Sequence, residues 1–307
     1  MREVYNLNFN WFFSKENIDE HITEYENVDE FETVDLPHSV EIPLQYFNEQ
    51  ITQMTSTYKK EIYIQKEWKG RILNLVFEGV AHIAHIFIGD AFVMTHRGGY
   101  DCFKVNISDY VGYGKNNMIT VVVDSHENVF IPPFGGPIDF LGYGGIYREV
   151  SLEILEPNHI SDFFIKTYDP INSSTITVDI NLSVEAGTLE ACLFDGDIEV
   201  LRTKTIVNEK HMILKLDYNN KVLWSVHNPY LYRLDLSLFE DDILVDKVSD
   251  RFGFRKVEFK NEGFYLNEEL IELRGLSRHQ SYPYVGNAMP KSRSEEHTSE
   301  LQSHLNL

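Results

Sequence analysis

The sequence predicts an all-β chain organised as two successive sandwiches, and three observations carry that expectation. From about residue 58 to residue 273, short runs rich in β-branched and aromatic residues recur between Gly, Asn and Asp. No long stretch keeps a 3.6-residue hydrophobic period, so there is no face on which a helix could pack. Aromatic residues make up 13% of the chain, with 17 Tyr and 20 Phe, which is enough apolar bulk for packed cores and too much for a disordered polymer.

Taken in order, strands are expected at 58–65, 72–78, 83–88, 118–123 and 150–155. Proline then ends the last of these within Glu156-Pro157-Asn158-His159. A domain boundary belongs there. Residues 1–156 have the size and strand pattern of a jelly-roll sandwich, and 157–257 those of an immunoglobulin-like sandwich. In the second domain strands are expected at 175–184, 189–194, 211–216 and 232–239, with a hairpin turn at Asp195-Gly196-Asp197. A further unit spans 258–292: residues 263–273 read as a hairpin leading into a buried strand. Its turn is Asn267-Glu268. A tight two-residue turn needs positive φ at both central positions, which glutamate opposes, so the turn is expected to be looser.

With 27 Lys plus Arg against 48 Asp plus Glu, the formal charge is −21. Such a field repels phosphate backbones and anionic lipid, which argues against nucleic acid and membrane partners and leaves neutral ligands unaffected. Cys102 and Cys192 fall in different predicted domains, so both are expected as buried apolar thiols in a reducing compartment. The start, Met1-Arg2-Glu3-Val4-Tyr5-Asn6, lacks a basic stretch followed by an apolar run, and no 18 apolar residues follow one another. A cytoplasmic protein is expected.

Six blocks carry more than architecture. Phe77-Glu78-Gly79-Val80-Ala81-His82-Ile83-Ala84-His85 is followed by His96-Arg97-Gly98-Gly99-Tyr100-Asp101-Cys102-Phe103. Pro137-Ile138-Asp139-Phe140-Leu141-Gly142-Tyr143-Gly144-Gly145-Ile146-Tyr147-Arg148 closes the first domain, and Leu223-Trp224-Ser225-Val226-His227-Asn228-Pro229-Tyr230-Leu231-Tyr232 lies in the second. Asp250-Arg251-Phe252-Gly253-Phe254-Arg255 and Leu273-Arg274-Gly275-Leu276-Ser277-Arg278-His279 complete the set. His82 and His85, three apart on a strand, face opposite ways and do not make a metal pair. Trp224 and Tyr230 read as buried corner residues, and Arg148 as a packing or ion-pairing residue. Together the blocks, over roughly residues 1–291, resemble glycoside hydrolase family 2, the family of β-galactosidases and β-glucuronidases, and β-galactosidases most closely.

That resemblance implies the amino-terminal part of an enzyme that cleaves terminal β-galactosides with retention, ending in the first hairpin and strand of a truncated (β/α)8 barrel, a TIM barrel. Asp139, seven residues before Ile146, occupies the position whose carboxylate would accept charge-assisted hydrogen bonds from vicinal galactosyl hydroxyls. Without the resemblance it reads as a turn-stabilising residue of a Gly- and Pro-rich loop. His279 would donate to sugar hydroxyls and Arg278 would brace the site, at the strand end where barrel active sites assemble. The family's Asn before Arg-His is Ser277 here, which loses the amide's two-ended reach.

Both catalytic glutamates of the family lie on later barrel strands, and a barrel takes about 250 residues. Fewer than fifty residues follow Glu258, so no catalytic residue is assigned and this chain alone is expected to be inactive. No cofactor is expected in it; the resemblance allows Mg²⁺ or Na⁺ in the full-length enzyme. The implied partner is a carbohydrate substrate, with homo-oligomerisation open to the full-length enzyme. Two alternatives stay open: a non-catalytic carbohydrate-binding module, against which a barrel strand at 273–279 argues, and a family 2 β-glucuronidase or β-mannosidase, which Asp139 disfavours.

Residues 293–307 change character to Ser, Glu, His, Gln and Leu without an aromatic residue. They resemble a translated sequencing-adapter read rather than the family, and an artefactual tail is expected there.

Overall fold

The computed structural model describes residues 1–15, 31–42, 49–132, 142–275, 281–282 and 284–290. Contacts divide it into two compact units, one of residues 3–154 joined by 278–307, the other of residues 1–2 and 155–277.

The first unit is a sandwich of two antiparallel sheets. One has the order β1-β10-β5-β8, with β1 Glu3–Asn6, β5 Ile72–Phe77, β8 Phe103–Asn106 and β10 Val150–Leu155. The other runs β3-β2-β4-β9-β6-β7, with β2 Trp11–Ser14, β3 Glu32–Val34, β4 Thr55–Ile64, β6 Ile83–Ile88, β7 Ala91–Arg97 and β9 Lys115–Asp124. Their inner faces close over one core that contains Trp11, Phe13, Tyr58, Leu73, Leu75, Phe77, Ile86 and Ile119. Each such side chain removed from water contributes about 1.5–3 kcal/mol. Alternation decides the fate of Cys102. It is exposed rather than buried, because Phe103 takes the inward position at the start of β8.

The second unit pairs the sheet β11-β12-β15 with the sheet β14-β13-β16-β17. The strands are β11 Ile160–Lys166, β12 Thr175–Leu182, β13 Thr188–Asp195, β14 Ile198–Ile206, β15 His211–Asp217, β16 Tyr232–Glu240 and β17 Ile243–Phe252. This three-plus-four arrangement is immunoglobulin-like. In β12 the inward residues Ile176, Val178, Ile180 and Leu182 are buried while Thr, Asp and Asn alternate between them. The hairpin at Gly196-Asp197 is tight: Asp195 pairs with Ile198 and Gly196 sits at φ +60°.

A three-stranded meander follows: β18 Val257–Lys260, β19 Gly263–Leu266 and β20 Glu269–Ile271. Its second turn is tight, contrary to the expectation. Leu266 pairs with Glu269 across Asn267 and Glu268, whose φ angles are +51° and +71°. The side chain of Asn267 makes the difference. Its Oδ1 accepts from the Lys256 N–H at 3.0 Å and its Nδ2 donates to the Trp224 carbonyl at 2.9 Å, holding the turn from outside. The strand expected from Leu273 is not buried where it is described: residues 272–275 form no strand and Leu273 is 69% exposed. A strand buried on both faces requires neighbours on each side, and none among the described residues pairs with it.

Candidate functional site

Asp139, Arg278 and His279 lie outside the described residues, which end at Pro132 and Gly275 and resume at Gly142 and Ser281. Pro132, Gly142 and Ser281 belong to the first unit, and Gly275 to the second.

The flank after Asp139 is fixed from three directions. Thr52 Oγ1 donates to the Gly142 carbonyl at 2.7 Å, and the Val40 N–H to the Gly144 carbonyl at 3.1 Å. Gly145 exchanges backbone bonds with Ala81 at 3.0 and 3.3 Å, and the His38 N–H donates to the Ile146 carbonyl at 2.8 Å. The two glycines are required by space. A Cβ on Gly144 would lie 2.1 Å from Ser125 Oγ, and Gly145, at φ +111°, has the Tyr58 hydroxyl and the His38 carbonyl in the place of a side chain.

Beneath this turn lies a pair that no linear motif announced. Tyr58 is fully buried, bonded to the Ile146 backbone, and its hydroxyl is 2.9 Å from His38 Nδ1. Burial pushes the phenol of Tyr58 well above its usual range and the imidazole of His38 down to about 4. At neutral pH both are uncharged. With the Ile146 N–H donating to the phenol oxygen, the phenol hydrogen is free for Nδ1, leaving the His38 proton on Nε2.

The flank after His279 packs on the same unit. The Gly286 and Val285 N–H groups donate to the Tyr282 carbonyl, and the Tyr282 N–H returns to the Gly286 carbonyl at 3.0 Å. Ser39 Oγ donates to the Val285 carbonyl at 3.0 Å. The ring of Tyr143, four residues beyond Asp139, lies directly against Gly286, where a Cβ would be 2.5 Å from it. Ala288 is buried against Ala81 and Tyr147. The structure therefore joins the roots of the two segments through Tyr143, Ser39 and Ala81.

His82 and His85 take separate roles. His85 Nδ1 is 2.7 Å from Thr95 Oγ1; His82 precedes β6, buried, its Nδ1 without a partner among the described residues. Arg148 lies over the Tyr147 ring at 5.4 Å. Among the described residues no group of three or more His, Cys, Asp or Glu could hold a metal ion.

In the second unit an open groove of about 650 Å³ is lined by residues of β11 and β17 together with Tyr168, Trp224 and Val257. Trp224 is half-buried in the groove lining rather than fully buried as expected. Arg255 lies over its ring at 5.3 Å, and Gly253 fits against it so closely that a Cβ would be 2.7 Å away.

Comparison with known proteins decides the family. The model of the glycosyl hydrolases family 2 sugar binding domain matches residues 5–157, and that of glycosyl hydrolases family 2 matches 158–255. The chain belongs to glycosyl hydrolase family 2. Over its whole length it is 36% identical to a β-galactosidase of Thermoanaerobacterium thermosulfurigenes, 45% of which it covers. Over 78% of its length it is 33% identical to a β-glucuronidase of Bacteroides fragilis, covering 37% of that enzyme. The crystal structure of a family 2 member from Bacteroides cellulosilyticus superposes with a TM-score of 0.83 at 26% identity, over 98% of this chain and 41% of that one. The chain thus spans less than half the length of these family members. Their jelly-roll and immunoglobulin-like sandwiches are the folds described above, and no helix among the described residues is long and apolar enough to cross a membrane.

Proposed function

We propose that the chain is the amino-terminal part of a cytoplasmic family 2 enzyme that hydrolyses terminal β-galactosides. The observation carrying this reading is the end-to-end similarity to the T. thermosulfurigenes β-galactosidase. The domains are 1–156, 157–257 and a barrel start at 258–292, with 293–307 foreign to the protein. Asp139 accepts hydrogen bonds from the galactosyl hydroxyls, His279 donates to the sugar and Arg278 braces it. The contact of Tyr143 with Gly286 supports this, since it brings together the stretches that follow the two segments. The chemistry requires two carboxyl groups about 5–5.5 Å apart, one forming a glycosyl-enzyme intermediate and the other transferring the proton to the leaving oxygen, with net retention. Those glutamates belong to later polypeptide, so the 307 residues alone do not turn over substrate.

A β-glucuronide specificity is the second reading, favoured by the B. fragilis similarity. The test is hydrolysis of aryl β-galactoside and aryl β-glucuronide by the complete product of the source gene, with the anomer released first followed by proton NMR. Galactoside turnover giving the β-anomer is expected. Preference for the glucuronide would replace the sugar, and an α-anomer would sink retention. Turnover by the purified 307-residue chain, persisting after removal of host glycosidase, would end the fragment reading.

A further inference from the structure

Among the described residues other than glycine, a positive φ is found at Asn10, Asp241, Asp242, Asn267, Glu268 and Tyr284. Asn and Asp visit that region readily, because a short polar side chain can bond locally, and Glu268 lies in the turn that Asn267 anchors. Tyr284, at φ +72°, is the aromatic member of the set. For a bulky side chain this conformation is an outlier that carries backbone strain. Glycine would adopt it freely, so the turn itself supplies no reason for a tyrosine.

Both sides of the residue are held. Tyr282 and Gly286 bridge antiparallel across it, each N–H 3.0 Å from the other's carbonyl. Ser39 Oγ holds the Val285 carbonyl at 3.0 Å, Gly286 has no room for a side chain beside the Tyr143 ring, and Ala288 and Met289 are buried. The Tyr284 side chain takes no part in this packing. It is 86% exposed and makes no hydrogen bond or ring contact with the described residues. A strained backbone that its surroundings keep in place, presenting a ring that packs on nothing, is the pattern found at ligand clamps.

Position and chemistry limit what the ring meets. Tyr284 follows His279 by five residues, so the two lie within about 18 Å of each other. Its exposure suits the rim of a site rather than the bond that is cleaved. A tyrosine offers an apolar ring to a flat six-membered partner, either the C–H face of a pyranose or an aryl group, and a hydroxyl at its edge. We propose that Tyr284 is a specificity-determining residue: a platform on which the leaving group of the glycoside, a second sugar or an aryl aglycone, stacks. The proposal rests on the reading that the complete protein is a glycoside hydrolase, and it assigns a contact on the far side of the cleaved bond.

The experiment uses the complete product of the source gene. Tyr284→Gly removes the ring and the strain together, and Tyr284→Phe keeps the ring. For each variant kcat/KM is measured on methyl β-galactoside, an aryl β-galactoside and a β-galactosyl disaccharide, alongside the urea midpoint. For Tyr284→Gly the midpoint is expected to equal or exceed that of the unaltered enzyme, because strain is relieved. Its preference for the aryl and disaccharide substrates over the methyl glycoside should nevertheless fall by about three- to tenfold, the strength of one aromatic stacking contact, while Tyr284→Phe keeps most of it. An unaltered preference in Tyr284→Gly overturns the proposal. So does a lowered midpoint with an equal loss on all three substrates, which would make Tyr284 a structural residue of its turn. Should the unaltered enzyme cleave β-glucuronides instead, the same comparison between methyl and aryl glucuronides decides the platform, and only the sugar changes. An unaltered enzyme that cleaves no glycoside sinks the hydrolase reading and the platform with it, whereas an active enzyme indifferent to Tyr284→Gly sinks the platform alone.

Discussion

Gly145 and Tyr58 touch so closely that no side chain could come between them: a Cβ on Gly145 would stand 2.7 Å from the Tyr58 hydroxyl. The turn that leads back from Asp139 into the first sandwich is thereby seated on a buried phenol. The first three predictions concern that seat.

Gly145→Ala should destabilise the first unit by about 2–4 kcal/mol, combining a strained positive φ with overpacking against Tyr58 and His38. Gly142→Ala, where nothing lies within 4 Å, should leave the urea midpoint unchanged. Equal effects of the two substitutions would show that the contact at Tyr58 is not what fixes the turn.

Tyr58→Phe keeps the ring and removes the hydroxyl that joins His38 to the Ile146 backbone. Leaving those buried groups without a partner should cost about 1–3 kcal/mol. The loss is to be read by denaturant unfolding at neutral pH, with Tyr113→Phe as a half-buried comparison.

The seat should also respond to pH. His38 titrates at about 4 in the folded chain against an ordinary value of 6.5. Between those values the unfolded chain binds a proton that the native chain does not, so stability falls as pH is lowered from 6.5 towards 4. Buried His82, also shifted down by burial, adds in the same direction. The His38 share is about 2–3 kcal/mol across the window. His38→Gln should flatten the slope of stability against pH there; an unchanged slope would remove His38 as its source.

Arg2 and Asp246 make the corresponding prediction for the second unit. The guanidinium is 3.1 Å from a carboxylate that is 1% exposed and that also accepts the Ile160 N–H at 2.9 Å. Arg2→Met should cost about 2–4 kcal/mol by leaving that carboxylate short of its partner. Unfolding of a chain carrying this change should show the loss in the 155–277 unit.

For activity, Asp139→Asn in the complete enzyme should lower kcat/KM on an aryl β-galactoside by about 10–100-fold, the equivalent of one or two charge-assisted hydrogen bonds weakened. A change under about twofold would return Asp139 to the role of a loop residue.

What was legible beforehand was whatever depends on local pattern. Strands at 72–77 and 175–182 follow from alternation, and Gly196 marks its own hairpin, because period-2 burial and positive φ are written in neighbouring residues. The family was legible for a related reason: its blocks are contiguous runs such as Asp250-Arg251-Phe252-Gly253-Phe254-Arg255. The Asn267-Glu268 turn went the other way. Its Glu268 argues against positive φ, and the bonds that hold the turn come from Lys256 and Trp224, 11 and 43 positions from Asn267. Likewise nothing near Tyr58 in the chain marks it as the seat of Gly145, and nothing near Tyr282 says that its turn packs on Ser39 and Tyr143. The sequence by itself determined most of the sandwich strands, the two sandwiches and the family, though not the strand expected from Leu273, since hydrophobic patterning and motif identity are properties of short segments. Only the tertiary structure decided which buried groups hold the loop roots together, since that depends on contacts closed between residues far apart in the chain.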